Sequence, residues 1–171
     1  MIFVTVGTHE QQFDRLVSYM DNLKKQGHIR EKVVIQTGYS TYLPRYCEYK
    51  EWFSYDEMVK NVSDARIVIT HGGPSSFIMP LQLKKIPIVV PRWSDLGEHV
   101  NDHQVNFTKA FSDRSGSIIP VFDIEKLRDI IIHYDDIVQS MSAGIRSNNS
   151  EFNRRFEELV NGLFGEEDLR D

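Results

Sequence analysis

The 171-residue chain is long enough for one domain with its own core, and 40% hydrophobic with 26% charged residues is the composition of an ordinary globular protein. A net charge of −5 without a basic stripe excludes the usual electrostatic basis for nucleic-acid binding and gives no reason for direct adhesion to anionic lipid. Cys47 is the single cysteine, so no intrachain disulfide can form. With no leader and no run near the roughly 20 apolar residues of a membrane span, a reducing, cytoplasmic setting is expected, and any work at a membrane needs a separate anchor.

Short β-branched runs alternate with helical patterns along the chain. The runs 2–6, 32–37, 66–70, 86–91 and 116–121 read as strands, several apolar on both faces, as a parallel sheet covered on both sides requires. A further, more exposed strand is expected within 46–52. Phe13, Leu16, Val17, Met20 and Leu23 recur at helical spacing through 13–26, and Met58, Val59 and Val62 do so in 55–62. Residues 123–141 predict one helix capped by Asp123, with Lys126 failing to complete a capping box. The alternation predicts an α/β, Rossmann-like doubly wound parallel sheet over residues 1–146. Residues 147–171 are expected to form an amphipathic helix and a polar tail, packed on this domain or on another chain.

Ligands of open parallel sheets bind beyond the carboxyl ends of the strands, so three turns draw attention: "GTHEQQF" (7–13) after the first strand, 70–80, and 92–104 after the run 86–91. In "THGGPSSFIMP" (70–80), Pro74 suits the first helical position, and Gly72 and Gly73 give a tight turn with bare backbone. The N–H groups and hydroxyls of Ser75 and Ser76 could then meet an anion at the helix start, unless this is an ordinary strand-to-helix turn. His71 beside it reads either as a phosphate-facing donor or as a buried, hydrogen-bonded histidine. In "GEHVNDHQ" (97–104), a helix starting near Glu98 would place His99 and His103 on one face with Asp102 beside them. That pattern fits zinc, a plain polar face or a sugar site, and residue type does not decide among them.

Taken together, "VTVGTHEQQFDRL", "ITHGGPSSFIMPLQLKKIPIVVPR" and "GEHVNDHQ", in that order and spacing, resemble the C-terminal, donor-binding domain of family-28-type glycosyltransferases of GT-B fold. They look most like the small stand-alone donor-binding subunits of the eukaryotic dolichol-linked GlcNAc transferase and of bacterial capsule and exopolysaccharide galactosyltransferases. The resemblance implies that Gly72, Gly73, Ser75 and Ser76, with His71, hold the diphosphate of a UDP-sugar. It implies that Gly7, Thr8 and His9 line the facing cleft, and that Glu98, His99, Asp102, His103 and Gln104 contact the donor sugar. No metal and no cofactor besides the UDP-sugar substrate are implied. His9 is the candidate base, and His71 the candidate stabiliser of the leaving phosphate.

The resemblance also implies partners: a membrane-anchored, acceptor-binding subunit and a lipid-linked saccharide acceptor, with the chain held at the inner membrane face through that subunit. One departure stands out. Many family members carry a ribose-binding glutamate six residues after the second turn glycine, and this chain has Met79, which cannot accept those hydrogen bonds in any useful way. Met79 is the feature that speaks for the alternative, a non-catalytic binding subunit of a separate transferase.

Overall fold

The computed structural model describes residues 1–144, and the expected amphipathic segment at 147–164 lies outside the described residues. They fall into two units, Met1–Tyr134 and the part from Asp135 onward. The first holds six parallel strands: β1 (Ile2–Thr5), β2 (Val33–Gln36), β3 (Glu48–Lys50), β4 (Ile67–His71), β5 (Ile88–Val90) and β6 (Ile119–Pro120). Their order is β3-β2-β1-β4-β5-β6, so the winding reverses between β1 and β4. In such sheets the crevice beyond the carboxyl ends of those two strands is the natural ligand site.

The helices of this unit are α1 (Asp14–Lys25), α2 (Tyr55–Asp64), α3 (Pro74–Gln82), α4 (His103–Ser115) and α5 (Leu127–Ile132). Every residue of β1, β2, β4 and β5 is buried, which is why those strands read as continuous apolar runs. Phe3, Val34 and Val68 pack with Val62 and Ala65 from the α2 region, and Met58 and Met79 close that cluster. Phe77 of α3 packs with Val89 and Ile118, bordered by Phe107 and Phe111 of α4. Burying one such phenylalanine contributes about 1.5–3 kcal/mol. At the sheet edge, all three residues of β3 are exposed, as the polar sequence of that run suggests.

Two expectations about helices are corrected. The single helix expected over 123–141 is broken into a 3-10 turn (Ile124–Lys126), α5 and, from Tyr134 to Gly144, α6. Asp123 does cap the opening turn, accepting from Glu125 N–H at 3.1 Å. At the break, Tyr134 is buried and its hydroxyl donates to the Ile86 carbonyl at 2.7 Å, an anchor that an unbroken helical pattern does not anticipate. The second correction concerns 98–104, where the helix begins at His103 and not near Glu98. His99 and His103 therefore share no helical face, and that basis for a zinc site is absent. A signal left unread in the sequence opens α2: Ser54 and Glu57 form a complete capping box.

Candidate functional site

A cleft of about 500 Å³ opens at the carboxyl ends of β1 and β4, where the winding reverses. Gly7, Thr8, His9, His71, Gly73, Ser75, Ser76, His99, His103 and Gln104 line it, bringing all three turns together. Gly72, Glu98 and Asp102 do not line it. The opposite wall consists of Phe53, Tyr55, Met58, Val62 and Met79, with Thr5 and Gln36 also contributing.

His71 organises the start of α3, with both ring nitrogens engaged by the protein itself. Its Nδ1 accepts the Gly73 N–H at 3.0 Å, closer than Gln104 Oε1 at 3.4 Å, so the neutral ring carries its proton on Nε2, 2.6 Å from Ser76 Oγ. Burial, and then the nearby Arg92 charge, hold His71 down to about 4, so it is neutral at physiological pH. Ser76 accepts from the ring and keeps its own hydroxyl proton to offer elsewhere. The glycines have roles other than the expected one. An added Cβ would lie 2.2 Å from His71 Nε2 at Gly7 and 2.2 Å from His71 Cε1 at Gly73, so the two glycines make room for the ring. Gly7 also has φ +76°, a backbone that disfavours any side chain.

Gly72 is a packing glycine: a Cβ there would meet Thr108 Oγ1 at 2.8 Å and Gln104 Cβ at 3.0 Å on α4. Its N–H donates to Gln104 Oε1 at 3.0 Å, so it is not available to an anion. The expected set of free amides shrinks further, because Ser76 N–H donates to the Gly73 carbonyl at 3.0 Å. What the start of α3 still offers is the Ser75 N–H, the two serine hydroxyls and the positive end of the helix.

The loop of residues 91–102 is held from beneath. Glu98 is 1% exposed and takes Arg15 Nε at 2.8 Å, Arg15 NH2 at 2.9 Å and Trp93 N–H at 3.0 Å. That geometry corrects the expectation that Glu98 touches a sugar: it is a buried brace. Asp102 likewise accepts from Ser94 N–H at 3.0 Å and Ser94 Oγ at 2.8 Å, which fixes the loop and accounts for its position off the cleft. Gln104 lines the cleft, but its carbonyl oxygen is committed to the N–H groups of Gly72 and Arg92.

Arg92 is the residue the sequence did not announce. It is fully buried, with NH1 donating to the carbonyls of Gln11 (2.9 Å), Gln12 (2.8 Å) and Glu98 (3.1 Å) and NH2 to that of Val6 (2.8 Å). Its guanidinium lies 4.7 Å from the Phe13 ring centroid. Burial lowers it to about 10, so it stays protonated at neutral pH and ties the Gly7 turn to the 91–102 loop. The only hint in the sequence is an arginine directly after an apolar strand.

At the cleft mouth His9 and His99 lie with ring centroids 4.6 Å apart. His9 Nδ1 accepts from Gln11 N–H at 3.3 Å, which leaves the proton of the neutral ring on Nε2. Its basicity is lowered by burial first, then by His99 and Arg92. His103, at the start of α4, is exposed. Chemically, the cleft joins anion-seeking donors at one end to an apolar wall at the other, with imidazoles at its rim.

Fold and site together define a Rossmann-like domain of the kind that forms the C-terminal half of GT-B glycosyltransferases. The chain belongs to the glycosyltransferase family 28 C-terminal domain family, whose model matches residues 1–119. Among solved structures it is similar to the glycotransferase of kitacinnamycin, with a TM-score of 0.59 and 13% identity over 94% of this chain and 42% of that one. It is also similar to the calicheamicin glycosyltransferase CalG4, with a TM-score of 0.51 and 13% identity over 95% of this chain and 44% of that one. At these identities the likeness shows the fold, and the chain spans less than half the length of each structure. No curated protein matches the sequence.

Proposed function

We propose that this chain is the donor-binding, catalytic subunit of a two-component glycosyltransferase that uses a UDP-sugar. The observation that carries the reading is the pairing inside one cleft of the Ser75 N–H and Ser76 hydroxyl, at the start of α3, with the apolar wall of Phe53, Tyr55, Met58 and Met79. A nucleoside diphosphate has the same division: an aromatic base that prefers apolar surface and a doubly charged end that prefers oriented donors. Ribose then lies past Met79 and takes its hydrogen bonds from other polar groups of the lining, which include Thr5 and Gln36.

In this reading the anomeric carbon–oxygen bond breaks with its electron pair passing to the β-phosphate. Ser75 N–H, Ser76 Oγ–H and the helix end stabilise that charge without a metal. His71 acts behind Ser76, orienting its hydroxyl. Gly7 and Thr8 border the diphosphate, while His99, His103 and the amide of Gln104 approach the sugar, a hexose that we read as galactose. A membrane-anchored partner supplies the acceptor-binding half and a lipid-linked saccharide, at the cytoplasmic face, in exopolysaccharide or capsule synthesis.

Calorimetry of the chain with UDP, UMP and uridine tests the donor reading. Affinity should rise with each phosphate and persist in excess EDTA. UDP binding no tighter than uridine would overturn the phosphate site. Transfer of radiolabelled galactose from UDP-galactose to membrane lipid, requiring both this chain and the partner, would support the assembled activity.

A further inference from the structure

The shortest Nδ1 contacts of the two imidazoles at the cleft mouth favour opposite tautomers. His9 Nδ1 accepts the Gln11 N–H, so its neutral ring is an Nε2–H donor. His99 Nδ1 lies 3.0 Å from the Asn101 carbonyl oxygen, and two lone pairs would repel there, so its proton sits on Nδ1. The Asn101 N–H is also 3.3 Å from that nitrogen, a longer approach on an exposed residue whose amide has water as an alternative. The Nε2 lone pair of His99 is then free.

Two further observations separate the pair. His99 stands between Glu98, buried against Arg15, and Asp102, tied to Ser94, so two anchored neighbours fix its place on the loop. Those are the two acids expected at the sugar that do not line the cleft. The charges also differ around the two rings. A proton on the His9 ring is opposed first by burial, then by His99 and by the Arg92 guanidinium, with Glu10 a lesser opposite influence. Asp102 is held below the usual carboxylate range, first by the Ser94 backbone and hydroxyl hydrogen bonds and then by the field of His99, so it stands as a carboxylate on the same loop. Both rings line the cleft.

We propose that His99 is the proton acceptor of the transfer reaction and that His9 is a hydrogen-bond donor to the bound donor substrate. The inference rests on the reading of the cleft as a UDP-sugar site, and it reverses the role expected for His9. In the step, the acceptor hydroxyl loses its proton to His99 Nε2 while its oxygen forms the bond to the anomeric carbon. The bond from that carbon to the β-phosphate oxygen breaks, and UDP leaves with the electron pair. His99 becomes an imidazolium beside the Asp102 carboxylate and returns its proton to water. His9 Nε2–H stays protonated throughout and points its donor at a phosphate or sugar oxygen.

Long-range ¹H–¹⁵N spectra of the histidine-labelled chain at pH 8, assigned with His9→Gln and His99→Gln, read the tautomers directly. The expected result is a proton on Nδ1 of His99 and on Nε2 of His9; a proton on Nε2 of His99 would overturn the assignment. In the assembled transferase, His99→Gln should lower kcat on the order of 100-fold or more, leave KM for the UDP-sugar within about threefold, and remove the acid limb of the kcat–pH profile. His9→Gln should raise KM and keep that limb. Retention of both rate and acid limb by His99→Gln would sink the proposal. UDP calorimetry keeps the two readings apart: absence of UDP binding by the unaltered chain defeats the donor site whatever the tautomers are. Normal UDP binding with the wrong tautomer defeats only the role of His99.

Discussion

His71 and Gly73 are locked together at the end of β4: the ring's Nδ1 accepts the glycine's N–H at 3.0 Å, and a side chain on that glycine would have to occupy the space of ring atom Cε1. Gly7 meets the ring in the same way. Gly73→Ala should therefore displace His71, destabilising the fold by about 1–3 kcal/mol as an overpacking substitution does. Gly7→Ala should cost more, since its φ of +76° adds backbone strain. Urea unfolding of both variants checks the order, and equal, negligible losses would show that the ring moves aside freely.

Ser76 has two duties, and its removal should show in two measurements. The hydroxyl accepts from His71 Nε2 at 2.6 Å and in the proposed site donates to phosphate. Ser76→Ala leaves a buried N–H without its partner, at a cost of about 1–3 kcal/mol of stability. The loss of a hydrogen bond to a charged group should weaken UDP binding on the order of tenfold or more. Ser75→Ala, whose hydroxyl has no such bond among the described contacts, should weaken UDP binding while leaving the urea midpoint nearly unchanged.

His71 also sets a pH dependence. Its native value is about 4, below the ordinary 6.5, mainly because burial disfavours the cation. The unfolded chain takes up a proton as pH falls through 6.5 and the native chain does not. The contribution is therefore fully present above about pH 6.5 and is lost as pH falls toward 4, reaching about 3 kcal/mol. Urea unfolding at pH 7.5 and 4.5 should give a smaller difference for His71→Asn than for the unaltered chain, the asparagine being uncharged at both. An unchanged difference would place the acid sensitivity elsewhere.

How far the sequence disclosed this molecule depends on the range of the forces involved. The buried strands and α1 were legible because apolar periodicity is local, and the reversal of winding placed the quoted turns side by side. Edge strand β3 was legible only as an exposed run. What local pattern could not disclose is the partner of a polar group far along the chain. Glu98 looked like a ligand contact because nothing near it reveals Arg15, 83 positions away. Gly72 and Gly73 looked like room for a ligand, when one makes room for α4 and the other for His71. The break before Tyr134 escaped notice because its cause is a carbonyl on another segment, that of Ile86.

The same long-range bonds give the last prediction, for Arg92 and Glu98. Arg92 gathers four carbonyls from the Gly7 turn and the 91–102 loop, and Glu98 fixes that loop to α1 through Arg15. Glu98→Ala leaves Arg15 beside the buried site without its carboxylate, which for a buried pair costs about 3–5 kcal/mol. Arg92→Lys keeps a charge but loses the planar fork, and one ammonium cannot span carbonyls on both loops. Both variants should lower the urea midpoint. In Arg92→Lys the remaining fold should bind UDP more weakly, because the Gly7 turn is no longer held against the His99 loop. Glu98→Gln should keep part of the stability through its remaining acceptor oxygen. If Glu98→Ala were instead as stable as the unaltered chain and had lost only sugar affinity, Glu98 would be a ligand contact after all, and the buried brace would be the wrong description of that loop.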